Sequence, residues 1–423
     1  MVPAPDPIAR DYIILALRLD QHRPGLVDGY FGPADLKAAT DMENLRPPDK
    51  LAEDAVELRE RLAAEVGESV RRSWFTAQLV ALEAQALDQA GRAIPYEDLV
   101  ARLFDQRMTR VDDAVFEAAA ADLDAAVPGR GPLEERLEAW DAGLTIPEDR
   151  VAALADHLAA QFRERAAALF GLPEGEGARI SMVRDRPWSG YNWYEGGRRS
   201  RVEINLDLPV RVGDLVHTIA HETYPGHHLE MATKEERLVD RAGRAELTLL
   251  SLNTPECLMH EGLADLGYQF AVPPDAEAAT IEEAMRVAGL ATAPDLATKW
   301  ATAERQVVVG RARRILRGIG GNAAFLRHVD GRSHEEVISY LMVAGRLSRD
   351  RAEHRLQFIE HPVWRTYVFV YREGAELLGA WLDTAAPAER TARFQRLLAE
   401  AFPPSLIAAE LASPPSTGDR SAR

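Results

Sequence analysis

Histidine is concentrated in one stretch of this 423-residue chain, and that stretch restricts the possible fold more than any other feature. Five of the eleven histidines lie within residues 217–260, where an even distribution would place about one. They are His217, His221, His227, His228 and His260. The text VHTIAHETYPGHHLE, residues 216–230, begins as an amphipathic helix and then meets Pro225 and Gly226. Because proline removes a backbone donor and glycine accepts unusual dihedrals, the helix is expected to change course at this pair.

The dipeptide His221-Glu222 matches the first half of an HExxH metal motif. In that motif, two histidines four residues apart share a helix face and bind one zinc ion, and the glutamate takes a proton from water. Four residues after His221, however, stands Pro225, which offers no ligand atom. On an unbroken helix His228 would lie roughly 10 Å along the axis, too far to share one ion. A local bulge of two residues would instead bring His227 into place, so we favour His227 over His228 as the second ligand.

Two other interpretations of the cluster stay open at this point. His217 and His221 are also four residues apart and could form a ligand pair without a bulge, although Glu222 would then have no downstream histidine to work with. Alternatively, the histidines could cap helices or fill polar niches without binding a metal.

A third ligand is expected on a following helix, within NTPECLMHEGLADLGY at residues 253–268. Thr254 suits the N-cap and Pro255 suits the first helical position, so Glu261 lies about one and a half turns into this helix. Gly262 beside it costs roughly 1 kcal/mol in a helix interior, which indicates close packing of another backbone. We therefore predict Glu261 as the third ligand.

Three neighbours on this helix have subsidiary expected roles. Asp265 lies one turn after Glu261, where its carboxylate could orient a ligating imidazole. His260 points roughly 100° away from Glu261 and is expected to be a neighbour rather than a ligand. Cys257, the one cysteine of the chain, is expected to be buried, and it can form no intrachain disulfide.

Most of the remaining chain has the apolar spacing of packing helices. The clearest predicted helices lie at residues 72–90, 150–170, 297–318, 334–346, 348–360 and 388–401. Residues 178–209 differ, because short β-branched and aromatic runs are separated by Gly190 and by the pair Gly196-Gly197. This pattern predicts two or three antiparallel strands, the one clear sheet of the chain.

The sequence thus predicts a mainly α protein with a small antiparallel β-sheet. We expect an N-terminal helical lobe at residues 1–175 and a catalytic lobe with the sheet and the metal-binding helices at residues 176–410. The two are treated as lobes of one unit, because no linker separates them. Residues 411–423 lack apolar content and are expected to be disordered.

Composition excludes several classes of protein. The formal charge of −17 disfavours nucleic acids and anionic membranes as partners. No apolar run approaches the roughly 18–20 residues that cross a bilayer, and the first residues, MVPAPDPIARDY, lack the pattern of a secretory signal. A cytoplasmic protein is therefore expected. Nearly all positive charge is arginine, which we interpret as a bias of genomic base composition, and lysine occurs only at Lys37, Lys50, Lys234 and Lys299.

The motif HExxPGHH, followed by the EGxA helix, resembles the bacterial domain-of-unknown-function 885 family, which is grouped with zincin-like metallopeptidases. Similar blocks run through most of the chain, at residues 20–33, 186–209, 221–230, 255–266, 321–328 and 361–374. The resemblance implies a zincin-like architecture with one zinc ion per chain, and it supports His227, the first of the paired histidines. It also implies a role for Tyr371, whose phenol could donate a hydrogen bond to an oxyanion, with His361 and Arg365 as weaker candidates. Asp265 does not belong to the family pattern.

These observations predict a zinc-dependent hydrolase, and a metallopeptidase before other kinds. Glu222 would act as general base, and the strands around Tyr191 to Tyr194 could pair with an extended peptide. Two alternatives stay open: hydrolysis of a non-peptide amide or ester at the same site, and a non-catalytic helical binding protein with a vestigial metal site.

Overall fold

The chain is mainly α-helical, as the sequence predicts. The computed structural model describes residues 3–186, 188–290 and 296–413. The helices before the main sheet are α1 (Pro7–His22), α2 (Ala34–Asp41), α3 (Pro48–Glu65), α4 (Ser69–Gln89), α5 (Tyr96–Phe104), α6 (Asp113–Ala126), α7 (Leu133–Gly143) and α8 (Glu148–Phe170). Those after it are α9 (Val212–Glu222), α10 (His227–Lys234), α11 (Pro255–Ala271), α12 (Glu277–Val287), α13 (Leu296–Arg317), α14 (Ile319–His328), α15 (His334–Val343), α16 (Arg349–Glu360), α17 (Val370–Asp383), α18 (Arg390–Ala399) and α19 (Pro404–Ala412).

All six helical segments predicted from apolar spacing are helices, with ends that shift by a few residues. They correspond to α4, α8, α13, α15, α16 and α18. The capping prediction also holds, since α11 begins at Pro255 and the Thr254 side chain accepts a hydrogen bond from the backbone N–H of Cys257. Cys257 is buried, as expected.

The main sheet contains β2 (Gly177–Val183), β3 (Gly190–Gly196) and β4 (Arg199–Asn205), in the order β2-β4-β3. Strand β3 is antiparallel to β4, with Trp193 opposite Arg201, and the turn between them contains Gly196 and Gly197 at positive φ. Strand β2, however, is parallel to β4, so the expectation of a wholly antiparallel sheet is wrong. The reason is that β4 inserts between β2 and β3, and hydrophobic alternation does not reveal which strands become neighbours.

A second, two-stranded sheet is not predicted by the sequence. Strand β1 (Val27–Tyr30) pairs antiparallel with β5 (Leu249–Ser251), more than 200 residues later in the chain. Both strands are too short to show a period of two, so only the tertiary contact reveals them.

One large hydrophobic core crosses the predicted lobe boundary near residue 175. It contains Phe116 and Leu154 from the N-terminal half together with Val216, Leu258 and Trp381 from the C-terminal half. A second core gathers α1, α3 and α4 around Tyr12, Trp74 and Phe75, and it includes Leu247 and Leu249 from the later half. The two predicted lobes therefore share apolar contacts throughout.

Two expectations about the surface and the chain end can be compared with the described residues. Among these residues, no helix has both the length and the hydropathy required to cross a bilayer. Leu411 and Ala412, the first residues of the predicted tail, belong to the last turn of α19, and Ser413 is its C-cap. Residues 414–423 of that tail lie outside the described residues.

Helices α11 and α17 cross in direct backbone contact. A Cβ atom on Gly262 would lie 2.3 Å from the carbonyl carbon of Gly374, and a Cβ on Gly374 would lie 2.2 Å from the carbonyl oxygen of Leu258. This is the close backbone approach that a glycine at position 262 predicts. The crossing holds Glu261, the neighbour of Gly262, beside the segment that leads into α17.

Replacing Gly262 by alanine should destabilise this crossing. We expect the free energy of unfolding to fall by about 2–3 kcal/mol, because the added methyl overlaps a backbone that cannot move independently. Denaturant unfolding followed by circular dichroism measures the change. Gly67→Ala is the matched control, since no atom lies within 4 Å of a Cβ at that position. Equal stability of Gly262→Ala and Gly67→Ala would contradict this account of the crossing.

Candidate metal centre

The three predicted ligands come together from three different helices. His221 lies in the last turn of α9, His227 is the first residue of α10 and Glu261 lies in the middle of α11. Glu261 Oε2 is 3.4 Å from His221 Nε2 and 3.9 Å from His227 Nε2, and the two imidazole rings are 4.6 Å apart and nearly perpendicular. One ligand atom from each residue lies within 4.8 Å of the others, so a single cation between them could contact all three.

The break between α9 and α10 makes this arrangement possible. The backbone N–H of Gly226 donates to the carbonyl of Ala220, and that of Leu229 donates to the carbonyl of Thr223. Each bond spans six residues, where a regular α-helix spans four, so two extra residues are accommodated. This is the two-residue bulge that the Pro225-Gly226 pair predicts.

Glycine is required at position 226 for a steric reason. A Cβ there would lie 1.8 Å from the carbonyl oxygen of His221, since the chain folds back onto the end of α9. No side chain fits into this space, so the motif depends on Gly226 for the contact and not for a positive φ.

His228 faces away from the three predicted ligands. Its side chain is fully buried, its Nδ1 lies 2.8 Å from Ser200 Oγ and its Nε2 lies 2.8 Å from Glu176 Oε2. Glu176 also receives hydrogen bonds from Tyr224 and Arg163. This histidine therefore anchors α10 to β4 and to the start of the sheet, and the geometry favours His227 as the ligand.

His217 also lies outside the group of three. Its Nε2 is 3.5 Å from Asp265 Oδ1, and its ring packs on Tyr268 at 5.2 Å. Burial lowers the pKa of His217 to about 3, so the imidazole is neutral at ordinary pH. The alternative pair of His217 and His221 would require a different third ligand, because His217 is not among the residues grouped around Glu261.

Asp265 has the orienting position that its spacing from Glu261 suggests. Its Oδ1 lies 3.0 Å from His221 Nδ1. Burial alone would raise the pKa of Asp265, but the hydrogen bond and the charge of His221 outweigh it and lower the pKa to about 2. Because an ionised carboxylate only accepts hydrogen bonds, Nδ1 is the donor in this contact, and Nε2 faces Glu261.

Glu261 has one carboxylate oxygen with a hydrogen-bond donor and one without. Its Oε1 accepts a hydrogen bond of 2.7 Å from the phenol of Tyr367. Its Oε2 is buried and accepts no hydrogen bond within the described parts of the chain. A carboxylate oxygen in that state is costly unless a cation satisfies it, and two imidazole nitrogens with one carboxylate oxygen fit the donor set of a zinc site. The residues present therefore fit a zinc ion.

Glu222 lies beside the three ligands and against the edge of the main sheet. Its Oε1 is 3.6 Å from the position that a Cβ would have on Gly190 of β3, and its backbone carbonyl accepts a 2.6 Å hydrogen bond from Asn192. Burial raises the pKa of Glu222 to about 7, against the opposing charge of His221, and Glu261 raises it further. The carboxylate can thus exchange a proton near neutral pH.

Tyr371 lies in the first turn of α17 and is 45% exposed, with its ring 5.6 Å from that of Tyr367. The two weaker candidates have structural partners instead. Arg365 forms an ion pair with Asp88, and His361 Nδ1 accepts a hydrogen bond from the backbone of Val363.

Sequence reasoning missed several residues near the site. Tyr367 donates a hydrogen bond to the predicted ligand Glu261, and Asn192 donates one to the backbone of Glu222. Tyr191 donates a hydrogen bond to Asp28 of β1, and burial raises the pKa of that aspartate. None of these residues has a local spacing that relates it to the histidine motif, although Tyr191 and Asn192 lie in the segment predicted to bind substrate.

Comparison with known proteins shows similarity of fold alone. No family model and no curated protein matches the chain. A solved structure from Colwellia psychrerythraea, of a protein provisionally described as a lipoprotein, has a TM-score of 0.51 at 13% identity and covers 85% of this chain. This chain in turn spans 66% of that protein. A protein of unknown function from Shewanella oneidensis, also provisionally described as a lipoprotein, has a TM-score of 0.47 at 14% identity, with 89% of this chain and 75% of that one covered.

The opposite orientations of the paired histidines predict different results on substitution. His227→Ala should weaken zinc binding by more than the roughly 10–100-fold typical of orienting residues, because it removes a ligand. His228→Ala should leave zinc affinity within a few-fold but lower the free energy of unfolding by about 1–3 kcal/mol, since Glu176 loses a buried partner. Chelator competition and denaturant unfolding in chelator measure the two effects. Loss of zinc binding in His228→Ala with retention in His227→Ala would reverse the assignment.

Proposed function

We propose that this chain is a single-zinc hydrolase of the zincin type, a metallopeptidase that cleaves peptide bonds. His221, His227 and Glu261 hold the ion, and Glu222 is the general base. The observation that carries the proposal is the buried Glu261 Oε2, which lacks a hydrogen-bond donor and faces one nitrogen of each imidazole. Glu222 follows the first ligand, His221, in the chain, and its carboxylate lies next to Gly190 at the start of the edge strand β3.

The proposed mechanism gives each residue one task. When bound, zinc polarises a carbonyl oxygen and lowers the pKa of water towards about 7. Glu222 accepts the proton of the attacking water and passes it to the leaving nitrogen, a role that suits a carboxyl with a pKa of about 7. Asp265 keeps His221 in the tautomer that presents Nε2, and Tyr367 keeps Glu261 turned so that Oε2 faces the histidines.

The position of β3 supports a peptide as substrate. This strand lies at the edge of the main sheet, and a Cβ on its first residue, Gly190, would lie 3.6 Å from the carboxylate of Glu222. An extended peptide that added itself to this edge by backbone hydrogen bonds would run past the general base. The exposed phenol of Tyr371 is the candidate donor to the oxyanion that forms during cleavage.

The motif resemblance supports the same proposal. HExxPGHH with the later EGxA helix is similar to the domain-of-unknown-function 885 family, and we propose membership of that family on this basis. The two-residue bulge explains how its interrupted motif can hold an ion as HExxH does.

Glu222→Gln should abolish hydrolysis without removing the ion. Activity should fall by about 10²–10⁴-fold, because the amide cannot accept the proton, while zinc content stays at one per chain. The assay uses a peptide library and a panel of small amides and esters, with zinc measured in the same samples. Glu138→Gln, which changes an exposed glutamate on α7, is the control and should keep full activity.

Three results would contradict the proposal in different ways. Full activity of Glu222→Gln would exclude this residue as base, and a wild-type chain without zinc would exclude the metal site. Turnover confined to small amides or esters would exclude peptides as the substrate class.

A further inference from the structure

Four ionisable side chains are buried together behind the proposed metal centre. Glu230 and Lys234 lie on α10, and Glu256 and His260 lie on α11; all four are at most 6% exposed. The proposed chemistry uses none of them. We refer to these four residues as the ionic cluster.

The contacts of the ionic cluster form a closed ring between the two helices. Lys234 Nζ lies 2.8 Å from Glu230 Oε1 and 3.0 Å from Glu256 Oε1. His260 connects the same two glutamates, with Nδ1 2.9 Å from Glu230 Oε2 and Nε2 2.9 Å from Glu256 Oε1. The second oxygen of Glu256 accepts a hydrogen bond from the indole of Trp74 on α4. Each side chain of the ring thus contacts both helices or joins the ring to a third.

A contribution to stability does not by itself account for such a group. Burying ion pairs costs desolvation that their attraction offsets only in part, and apolar side chains of similar volume often serve as well. The identity of the basic residue in the cluster is also informative. Of the fifty basic residues, four are lysine, and Lys234 is the one buried between two carboxylates among the three lysines whose side chains the structure describes. A compact ammonium fits between Glu230 and Glu256 where the larger, planar guanidinium of arginine requires more room.

The ionic cluster also differs from a second metal site. His227, Glu230 and His260 have ligand atoms within 4.8 Å of one another. However, the two oxygens of Glu230 already face Lys234 and His260, and both nitrogens of His260 face glutamates. A cation bound among these three residues would have to break the ion pair of Glu230 and His260, so the charges of the group already compensate one another.

The ionic cluster lies next to two of the three ligands. Glu230 follows His227 by three residues on α10, and His260 immediately precedes Glu261 on α11. The rings of His227 and His260 are 6.4 Å apart. The ion pair between Glu230 and His260 therefore joins α10, which carries His227, to α11, which carries Glu261, close to both ligands.

Helix α10 needs such an anchor, because α9 does not determine its direction. The chain turns between the two helices, and α10 begins at His227 without a side-chain cap. His228 attaches one side of α10 to the sheet, while Glu230 and Lys234 attach it to α11. The ligand His227 lies at the start of this helix, so its distance from Glu261 depends on both attachments.

We propose that Lys234 is a positioning residue of the metal centre, which through Glu230 and Glu256 holds α10 against α11 at the spacing that a zinc ion requires. This inference rests on the proposed function, since it needs zinc at His221, His227 and Glu261. It predicts that zinc affinity depends on the ionic cluster even when folding does not.

The test compares zinc affinity and folding in the full-length chain. In Glu230→Gln with Lys234→Met, one buried charge of each sign is removed together, so no new unpaired charge remains. We expect the dissociation constant for zinc, from chelator competition, to rise by about 10–100-fold. The denaturant midpoint measured in excess chelator should stay near that of wild type, because bound metal then adds nothing to stability. The visible spectrum of the Co²⁺-substituted double variant should differ from wild type, as altered ligand geometry requires.

Two further variants complete the design. Lys50→Met removes an exposed lysine that pairs only with Glu53 among the described contacts, and it should bind zinc like wild type. Trp74→Phe removes the indole donor to Glu256 but keeps an aromatic ring, and it should weaken zinc binding several-fold. Trp74→Phe keeps the inference testable if the double variant does not fold.

The outcomes separate this inference from the proposed function. Wild-type affinity and an unchanged Co²⁺ spectrum in the double variant, or in Trp74→Phe if that variant alone folds, would overturn the positioning role and leave the metal site intact. Wild-type protein that binds no zinc would overturn the proposed function, and the positioning role with it.

Discussion

The fold-back of the chain at Gly226 is the constraint on which the candidate site depends. Two backbone hydrogen bonds span six residues there, and the glycine lies directly on the carbonyl of His221. A regular helix would carry the second histidine around and along the axis, out of reach of the first. Because the bulge accommodates the two extra residues, the ring centroids of His221 and His227 lie 4.6 Å apart. The bulge thus converts an interrupted motif into a pair of adjacent imidazoles.

Buried carboxylates surround this pair, and each has a distinct partner. Asp265 accepts from His221, Glu176 accepts from His228, and Glu230 and Glu256 share Lys234 and His260. Glu261 Oε2 and both oxygens of Glu230 are buried without a hydrogen bond among the described residues. The Glu230 oxygens, however, form ion pairs at 2.8 and 2.9 Å, whereas Glu261 Oε2 lies 3.4 and 3.9 Å from the nitrogens of His221 and His227. The longer separation at Glu261 indicates where a cation is expected.

Local signals were sufficient for much of the fold and for the proposed ligands. Apolar spacing identified the long helices, and Thr254-Pro255 identified the start of α11. Gly262 correctly indicated a backbone crossing, because a glycine in a helix interior is costly without one. Strand pairing was harder: the parallel β2–β4 pair and the β1–β5 sheet depend on which segments meet, and short strands carry little of that information.

The sequence by itself identified the residues of the candidate site, since histidine, glutamate and the proline-glycine break are all readable within 45 residues. The tertiary structure alone decided which side chains support these residues. Tyr367 donates a hydrogen bond to Glu261, Asn192 donates one to the backbone of Glu222, and Trp74 donates one to Glu256 of the ionic cluster. These partners are separated by roughly 30 to 180 positions in the chain. The physical reason is that the proposed ligands and the proline-glycine break belong to short local motifs, whereas the orienting hydrogen bonds arise only where separate helices and strands pack together.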